Sequence, residues 1–209
     1  MKLRIALLSL LLVLSYGCNR GKSITLFSPD GSNILTFTAD YELDDILYPA
    51  IGLETGSRQV ILPSPVRLDA EGISWGNFRV REVKNESVRN TWINNFGERK
   101  EIPENYNQAS ILLENEDLKV ILHCRAYDEG VAFALDFPGQ EGIDSLIING
   151  ESISFGFTGD HTAWSANRAQ AAYSQVPLSN IHDGCERPLV IEIDTGLTIA
   201  LAESKLVDY

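Results

Sequence analysis

The sequence predicts an all-β protein, built from antiparallel strands that pack as a sandwich or barrel. Apolar and polar residues alternate over many short runs, turn residues separate these runs, and no long segment repeats with a helical period. Such a succession of short strands and polar turns is typical of sandwiches and barrels, whereas strand–helix alternation would indicate a parallel sheet. The length of 209 residues suits one large all-β domain.

The strands can be followed in order along the chain. The turn Ser28-Pro29-Asp30-Gly31 precedes a strand whose apolar face is Leu35, Phe37 and Ala39. The run 118–126 alternates in the same way, and the turn 127–130 joins it to the run 131–137, which predicts a hairpin. Later strands are expected at 153–157, 191–193 and 197–207, with a hairpin turn at 194–196.

Two short segments have some helical character. Residues 167–175 are rich in alanine, and residues 40–51 form a segment in which Pro49 would end any helix. Neither is long enough to change the predicted fold class.

The first 17 residues have the features of a secretory signal peptide, with a basic start, an apolar stretch and small residues at the end. Cys18 follows directly, and the polar residues 18–23 read as a lipid-anchored tether. The pattern resembles a bacterial lipobox, which predicts an exported periplasmic or outer-membrane lipoprotein of a Gram-negative bacterium. The alternative is a soluble periplasmic protein with a cysteine near its cleavage site.

The formal net charge of −12 limits the classes of partner. Nucleic acids and anionic membranes are bound through lysine and arginine, so an acidic chain is not expected to bind either of them. After residue 17 no apolar stretch is long enough to span a bilayer, and the predicted membrane contact is through the lipid anchor alone. This excess of acidic over basic residues suits a domain that binds neutral ligands or a divalent cation.

The cysteines and histidines do not indicate a catalytic site or a metal site. Cys124 alternates with apolar residues and is expected to be a small buried side chain, while a disulfide with Cys185 stays open. The histidines at 123, 161 and 182 lack metal-ligand spacing, and most paired carboxylates are expected to lie in solvated turns. We assign no catalytic residue and no metal ligand.

Two segments combine aromatic and amide side chains. Residues 90–108 hold Trp92, Phe96 and six asparagines or glutamines, and residues 161–173 hold Trp164 and Tyr173. Flat rings beside amides can stack on sugar rings and bond their hydroxyls. The alternative is that Trp92 and Trp164 cover the core of the sandwich and that the amides cap turns.

These residues also carry a family resemblance. Five places match in order: the turn 28–31, the segment from Trp92 through Glu98 to Asn107, the run 125–133, the stretch from Trp164 to Ser179, and the end 203–209. Over residues 24–209 the chain resembles the N-terminal domain of glycoside hydrolase family 97, the bacterial α-glucosidases and α-galactosidases.

The resemblance implies an antiparallel β-supersandwich similar to galactose mutarotase, packed against a (β/α)₈ barrel that holds the catalytic carboxylates. It further implies an α-linked oligosaccharide as ligand, with Trp92, Glu98 and Trp164 as possible lining of the sugar pocket. The family's calcium would take a glutamate from just before Tyr173, but this chain has Gln170 among alanines there.

The family's domain continues past residue 209, so the resemblance predicts that the sandwich is incomplete at its C-terminus and that the barrel is missing. The first hypothesis is therefore that the chain is the N-terminal carbohydrate-binding and supporting domain of an exported, calcium-dependent glycoside hydrolase. This domain would not be catalytic on its own. The alternatives are a free-standing carbohydrate-binding lipoprotein and a mutarotase-like epimerase that would use one of the three histidines.

Overall fold

The computed structural model describes residues 23–204, which form three antiparallel sheets. The first sheet has the order β1-β2-β3-β4, and β9 and β10 both pair with β4. Its strands are β1 (Ile24–Phe27), β2 (Asn33–Leu43), β3 (Ile46–Thr55), β4 (Arg58–Ala70), β9 (Ile148–Ile153) and β10 (Gly156–Phe157).

The other two sheets have four strands each. The second sheet is a meander of β5 (Arg79–Ile93), β6 (Glu101–Glu114), β7 (Lys119–Tyr127) and β8 (Gly130–Asp136). The third sheet has the order β12-β11-β13-β14, from β11 (Thr162–Ser165), β12 (Ser174–Pro177), β13 (Leu189–Asp194) and β14 (Leu197–Leu201). A 3-10 turn follows β12 at Leu178–Asn180.

The main core lies between the first and second sheets. The alternation of each strand sends one row of side chains inward, and β2 faces β7 across the core. Trp75 is buried in this core, and its indole N–H donates a 2.9 Å hydrogen bond to the Val66 carbonyl. The row in β7 that the sequence predicts to be apolar is fully buried: Val120, Leu122, Cys124 and Ala126.

A second, smaller core joins the third sheet to the first. Leu53, Val60 and Ile61 of the first sheet are buried there, and partly buried residues of β13 and β14 pack against them. This contact places the outer face of the third sheet on the surface of the molecule, which matters for the site described below.

The antiparallel all-β class and the two predicted hairpins are confirmed. The turn 127–130 joins β7 to β8, and the turn at 194–196 joins β13 to β14. Cys124 is buried as expected, and Cys124 and Cys185 are both free thiols.

Several local predictions are wrong. Residues 40–51 are the end of β2 and the start of β3, which meet in a turn where Asp44 and Asp45 both adopt positive φ. Cross-strand pairing outweighs the weak helical pattern in this segment. Residues 167–173 have no helix, β12 begins at Ser174, and β14 ends at Leu201, short of the predicted Val207. The run 153–157 is broken between β9 and β10.

The predicted signal peptide at residues 1–17 and the predicted lipid anchor at Cys18 lie outside the described residues, as does the segment 205–209. Within residues 23–204, no helix has the length and apolar character that crossing a membrane requires.

Candidate sugar-binding face

The outer face of the third sheet presents an indole ring to solvent. Trp164 lies in the middle of β11, between Ala163 and Ser165, whose side chains are buried on the opposite face. Trp164 is 37% exposed and belongs to neither core cluster. The alternative that Trp164 covers the core therefore does not describe this residue.

A carboxylate fixes the indole. The Trp164 Nε1–H donates a 2.8 Å hydrogen bond to Oε1 of Glu192, which lies on the neighbouring strand β13. Because Glu192 pairs with Thr162 in the register, it stands diagonally across from Trp164 on the same face. The contact ties one edge of the ring to the sheet while the ring stays partly open to solvent.

The surroundings of Trp164 are small or polar. The register places Val190 opposite it and Ala200 one strand further, so no bulky side chain from these two strands overhangs the ring. Exposed Gln175 pairs with Trp164 on the other side, from β12. The exposed hydroxyls of Thr162 and Thr198 lie in the next row of the same face.

A polar contact holds the border of this face. The Asp160 carboxylate accepts 2.8 Å hydrogen bonds from the backbone N–H and from the hydroxyl of Ser179, just after β12. These bonds lower the pKa of Asp160 below its ordinary value. The start of β11 is therefore tied to the turn that follows β12.

An aromatic ring flanked by an amide, hydroxyls and a carboxylate matches the chemistry of a sugar. The apolar face of a pyranose can stack on the indole, and its hydroxyls can bond the polar groups around it. The candidate site therefore comprises Trp164, Glu192, Gln175, Thr162 and Thr198, which we call the Trp164 face.

The structure places the other two predicted site residues elsewhere. Trp92 is near the end of β5 in the second sheet and is 46% exposed, so it does not cover the core either. Glu98 is exposed in the loop between β5 and β6. Trp92 and Trp164 thus lie on different sheets.

Two open grooves lie elsewhere on the described surface, and none of the three predicted residues lines either of them. One, of about 390 Å³, lies beside β4 and is lined by Tyr48, Arg67 and Trp75 among others. The second, of about 310 Å³, lies between β1 and the β5–β6 hairpin. The three predicted residues therefore do not line either of these two grooves together, and their place in one sugar pocket stays a prediction.

His123 has partners that the sequence did not indicate. Its Nδ1 lies 2.9 Å from the Ser110 hydroxyl, and its Nε2 lies 3.6 Å from the Asp136 carboxylate. His161 contacts Thr158 and the ring of Phe157, and His182 lies exposed in a loop. His123 and His161 thus serve separate local contacts.

The described residues do not fit a calcium site. Calcium is bound by six to eight oxygen ligands, mostly carboxylates and carbonyls. Within residues 23–204, no three His, Cys, Asp or Glu side chains are grouped so that they could hold a metal ion. Gln170, at the place where the resemblance implies a glutamate, adopts a positive φ in the turn before β12.

Sequence reasoning found Trp164 but missed Glu192, Gln175 and the two threonines. Their shared face is set by the pairing of four strands, whose order in the sheet (β12-β11-β13-β14) differs from their order in the chain. The alternation within β13 could have indicated that Glu192 points outward, but not which strand it would stand beside.

Comparison with known proteins agrees with this architecture. An enzyme of glycoside hydrolase family 97 from Pseudoalteromonas sp. strain K8, solved in complex with acarbose, superposes with a TM-score of 0.79 at 23% identity. The match covers 89% of this chain and 29% of that enzyme, and a complex with panose aligns equally well. A beta-arabinopyranosidase superposes with a TM-score of 0.75 at 17% identity, over 88% of this chain and 32% of that one.

The chain thus spans less than a third of the length of these solved structures, and at such identities they show the fold alone. The family assignment comes from the sequence, because the model of the glycosyl hydrolase 97 N-terminal domain matches residues 26–209. That match covers most of the chain, and the chain therefore belongs to the glycosyl hydrolase 97 N-terminal family.

Proposed function

We propose that this chain is the supporting and carbohydrate-binding N-terminal domain of an exported, calcium-dependent glycoside hydrolase of the α-glucosidase or α-galactosidase type. The observation that carries the proposal is the Trp164 face, with its indole fixed by Glu192 at 2.8 Å. The domain contributes binding and support, and it does not cleave a glycosidic bond by itself.

The lengths of the similar structures support a separate catalytic partner. This chain covers 29% of the Pseudoalteromonas enzyme, so most of that enzyme lies outside the matched region. We propose that the corresponding partner here is a (β/α)₈ barrel that holds the catalytic carboxylates. The ligands named for that enzyme, acarbose and panose, support an α-linked oligosaccharide as the ligand of this family member.

The chemistry of the Trp164 face supports a role in binding. Glycoside hydrolysis needs two carboxyl groups on opposite sides of the scissile bond. The Trp164 face carries one carboxylate, Glu192, and one of its oxygens already accepts the indole N–H. Glu192 can orient the indole ring and accept a hydrogen bond from a sugar hydroxyl. The described residues of the Trp164 face include no second carboxylate to stand on the opposite side of a bound sugar.

The calcium and the export route are parts of the same proposal. Since the described residues do not group three candidate ligands, we propose that residues of the barrel hold the calcium. Export rests on the leader and on Cys18 in the sequence. Lipid attachment at Cys18 would hold the domain at a membrane surface without a spanning helix.

Two measurements test the proposal. We expect the purified chain to bind maltotriose by titration calorimetry and to leave nitrophenyl α-glucoside and α-galactoside intact. Trp164→Ala removes the stacking ring from a partly exposed position, so it should weaken maltotriose binding about tenfold without unfolding the domain. Turnover above the buffer rate, or unchanged affinity in Trp164→Ala, would contradict the proposal.

A further inference from the structure

The β5–β6 hairpin extends beyond the rest of its sheet. The last pair between β6 and β7 is Tyr106 with Tyr127, while β5 and β6 stay paired with each other as far as Ile93 and Glu101. Residues 89–105 therefore form a projecting arm about 16 Å long, from five residues at about 3.3 Å each. The arm carries Trp92 and, at its tip, Phe96, which is 85% exposed.

One face of the arm continues the outer face of the second sheet. Side chains alternate along a strand, and the register aligns Trp92 with Ile102, Asn90 with Glu104, and Val88 with Tyr106. These three rows share one face, opposite to the row that includes Ile93. From the row of Ile102 to the row of Tyr106 is about 13 Å along the strand.

A fixed polar cluster lies at the inner end of this face. The guanidinium of Arg125 stacks over the Tyr106 ring at 4.4 Å, and its Nε donates a 2.7 Å hydrogen bond to Gln108. The same guanidinium lies 3.9 Å from the Glu104 carboxylate, which confirms that Glu104 points to this face. We call Trp92, Asn90, Glu104, Tyr106 and Arg125 the arm strip.

The charges of the arm strip favour a neutral ligand. Glu104 and Arg125 neutralise each other, although the chain as a whole carries −12. The arm strip is a linear set of groups: the exposed indole of Trp92 at one end, the amide of Asn90 in the middle and the guanidinium of Arg125 at the other end. These groups can stack on sugar rings and bond sugar hydroxyls. A single sugar ring could not reach both ends of a 13 Å strip.

We propose that the arm strip is a second carbohydrate-binding surface, which takes a linear chain of several neutral sugars along β5 and β6. It is distinct from the Trp164 face, which lies on the third sheet. The inference shares with the proposed function only the class of ligand, and its test uses a different tryptophan. A domain with both surfaces would hold a long chain at two places.

The test is titration calorimetry of the purified chain with maltoheptaose and with maltotriose. Trp92→Ala should weaken maltoheptaose binding about tenfold and leave maltotriose binding within about twofold. Asn90→Ala, a milder change on the same face, should weaken maltoheptaose binding less. Phe96→Ala is the matched control, because it removes an exposed ring from the tip of the same arm and should change neither affinity.

Each outcome decides the inference. Unchanged maltoheptaose affinity in Trp92→Ala overturns it, and so does an equal loss in Phe96→Ala, which would assign binding to any exposed ring of the arm and not to the arm strip. If Trp164→Ala alone weakens binding, this inference fails and the proposed function stands. If Trp92→Ala alone weakens binding, the Trp164 face fails and the arm strip stands. Absence of any binding overturns both.

Discussion

The backbone N–H of Asp30 donates a 2.9 Å hydrogen bond to the carboxylate of Asp128, although 98 residues separate them in the chain. Asn33 strengthens the same junction, since its side-chain amide donates to the carbonyls of Tyr127 and Asp128 at 3.0 and 2.9 Å. The turn after β1 is thereby joined to the turn between β7 and β8. Two separate sequence motifs thus form one latch between the first and second sheets.

Asn33 should be a large contributor to stability. It is 4% exposed, and its side-chain oxygen also accepts a 2.9 Å hydrogen bond from the Thr55 hydroxyl. Asn33→Ala leaves two carbonyls and one hydroxyl without this partner, so we expect a loss of about 2 kcal/mol in the free energy of unfolding. Urea denaturation measures it. Asn95→Ala, at an exposed position, is the control and should cost less than about 0.5 kcal/mol.

Asp30 should make stability sensitive to acid. Its carboxylate accepts hydrogen bonds from the Ser32 backbone N–H and the Ser28 hydroxyl, and these bonds hold the pKa of Asp30 well below its ordinary value. A lowered pKa in the folded state favours folding at pH values above the unfolded pKa of about 3.9. This contribution is lost as the pH falls below that value.

We therefore expect the urea concentration at the unfolding midpoint to decrease when the pH is lowered from about 5 to about 3. This interval spans the unfolded pKa of about 3.9. Asp30→Asn cannot titrate, so its midpoint should change less over the same interval. An equally steep acid dependence in Asp30→Asn would assign the effect to other carboxylates, such as Asp160.

Two adjacent leucines of β6 test which face of the second sheet points to the core. Leu113 is fully buried in the main core, whereas Leu112 points to the outer face and is partly exposed. Leu113→Ala should cost about 3 kcal/mol because it leaves a cavity, and Leu112→Ala should cost less than about 1 kcal/mol. Thermal or urea unfolding compares them. Equal losses would mean that the assignment of inner and outer faces is wrong.

The two described thiols should differ in reactivity. Burial raises the pKa of Cys124 to about 12, and Cys185 is partly exposed, with its Sγ 3.2 Å from the Ser165 hydroxyl. In a Cys18→Ser variant, Ellman's reagent at pH 8 should titrate one thiol in the folded protein and two after denaturation, because the reactive species is the exposed thiolate. Two rapid thiols in the folded state would contradict the buried position of Cys124.

Much of the fold could be predicted from residues that alternate strictly. The β7–β8 hairpin follows from the apolar row at 120–126 and the turn at 127–130, since both signals are local. The segment 40–51 could not be assigned correctly, because the pairing of β2 with β3 decides it. Neighbours across the third sheet could not be predicted either, since β11 lies between β12 and β13 and each contact depends on register.

The most direct test of the central claim uses the indole N–H signals of the three tryptophans in a nitrogen–proton correlation spectrum. We expect maltotriose to shift the Trp164 signal, since its N–H lies at the candidate face, and to leave the Trp75 signal in place, since that N–H is buried against the Val66 carbonyl. In Glu192→Gln the Trp164 signal should already differ without sugar. A Trp164 signal that stays unmoved at saturating maltotriose would contradict the account.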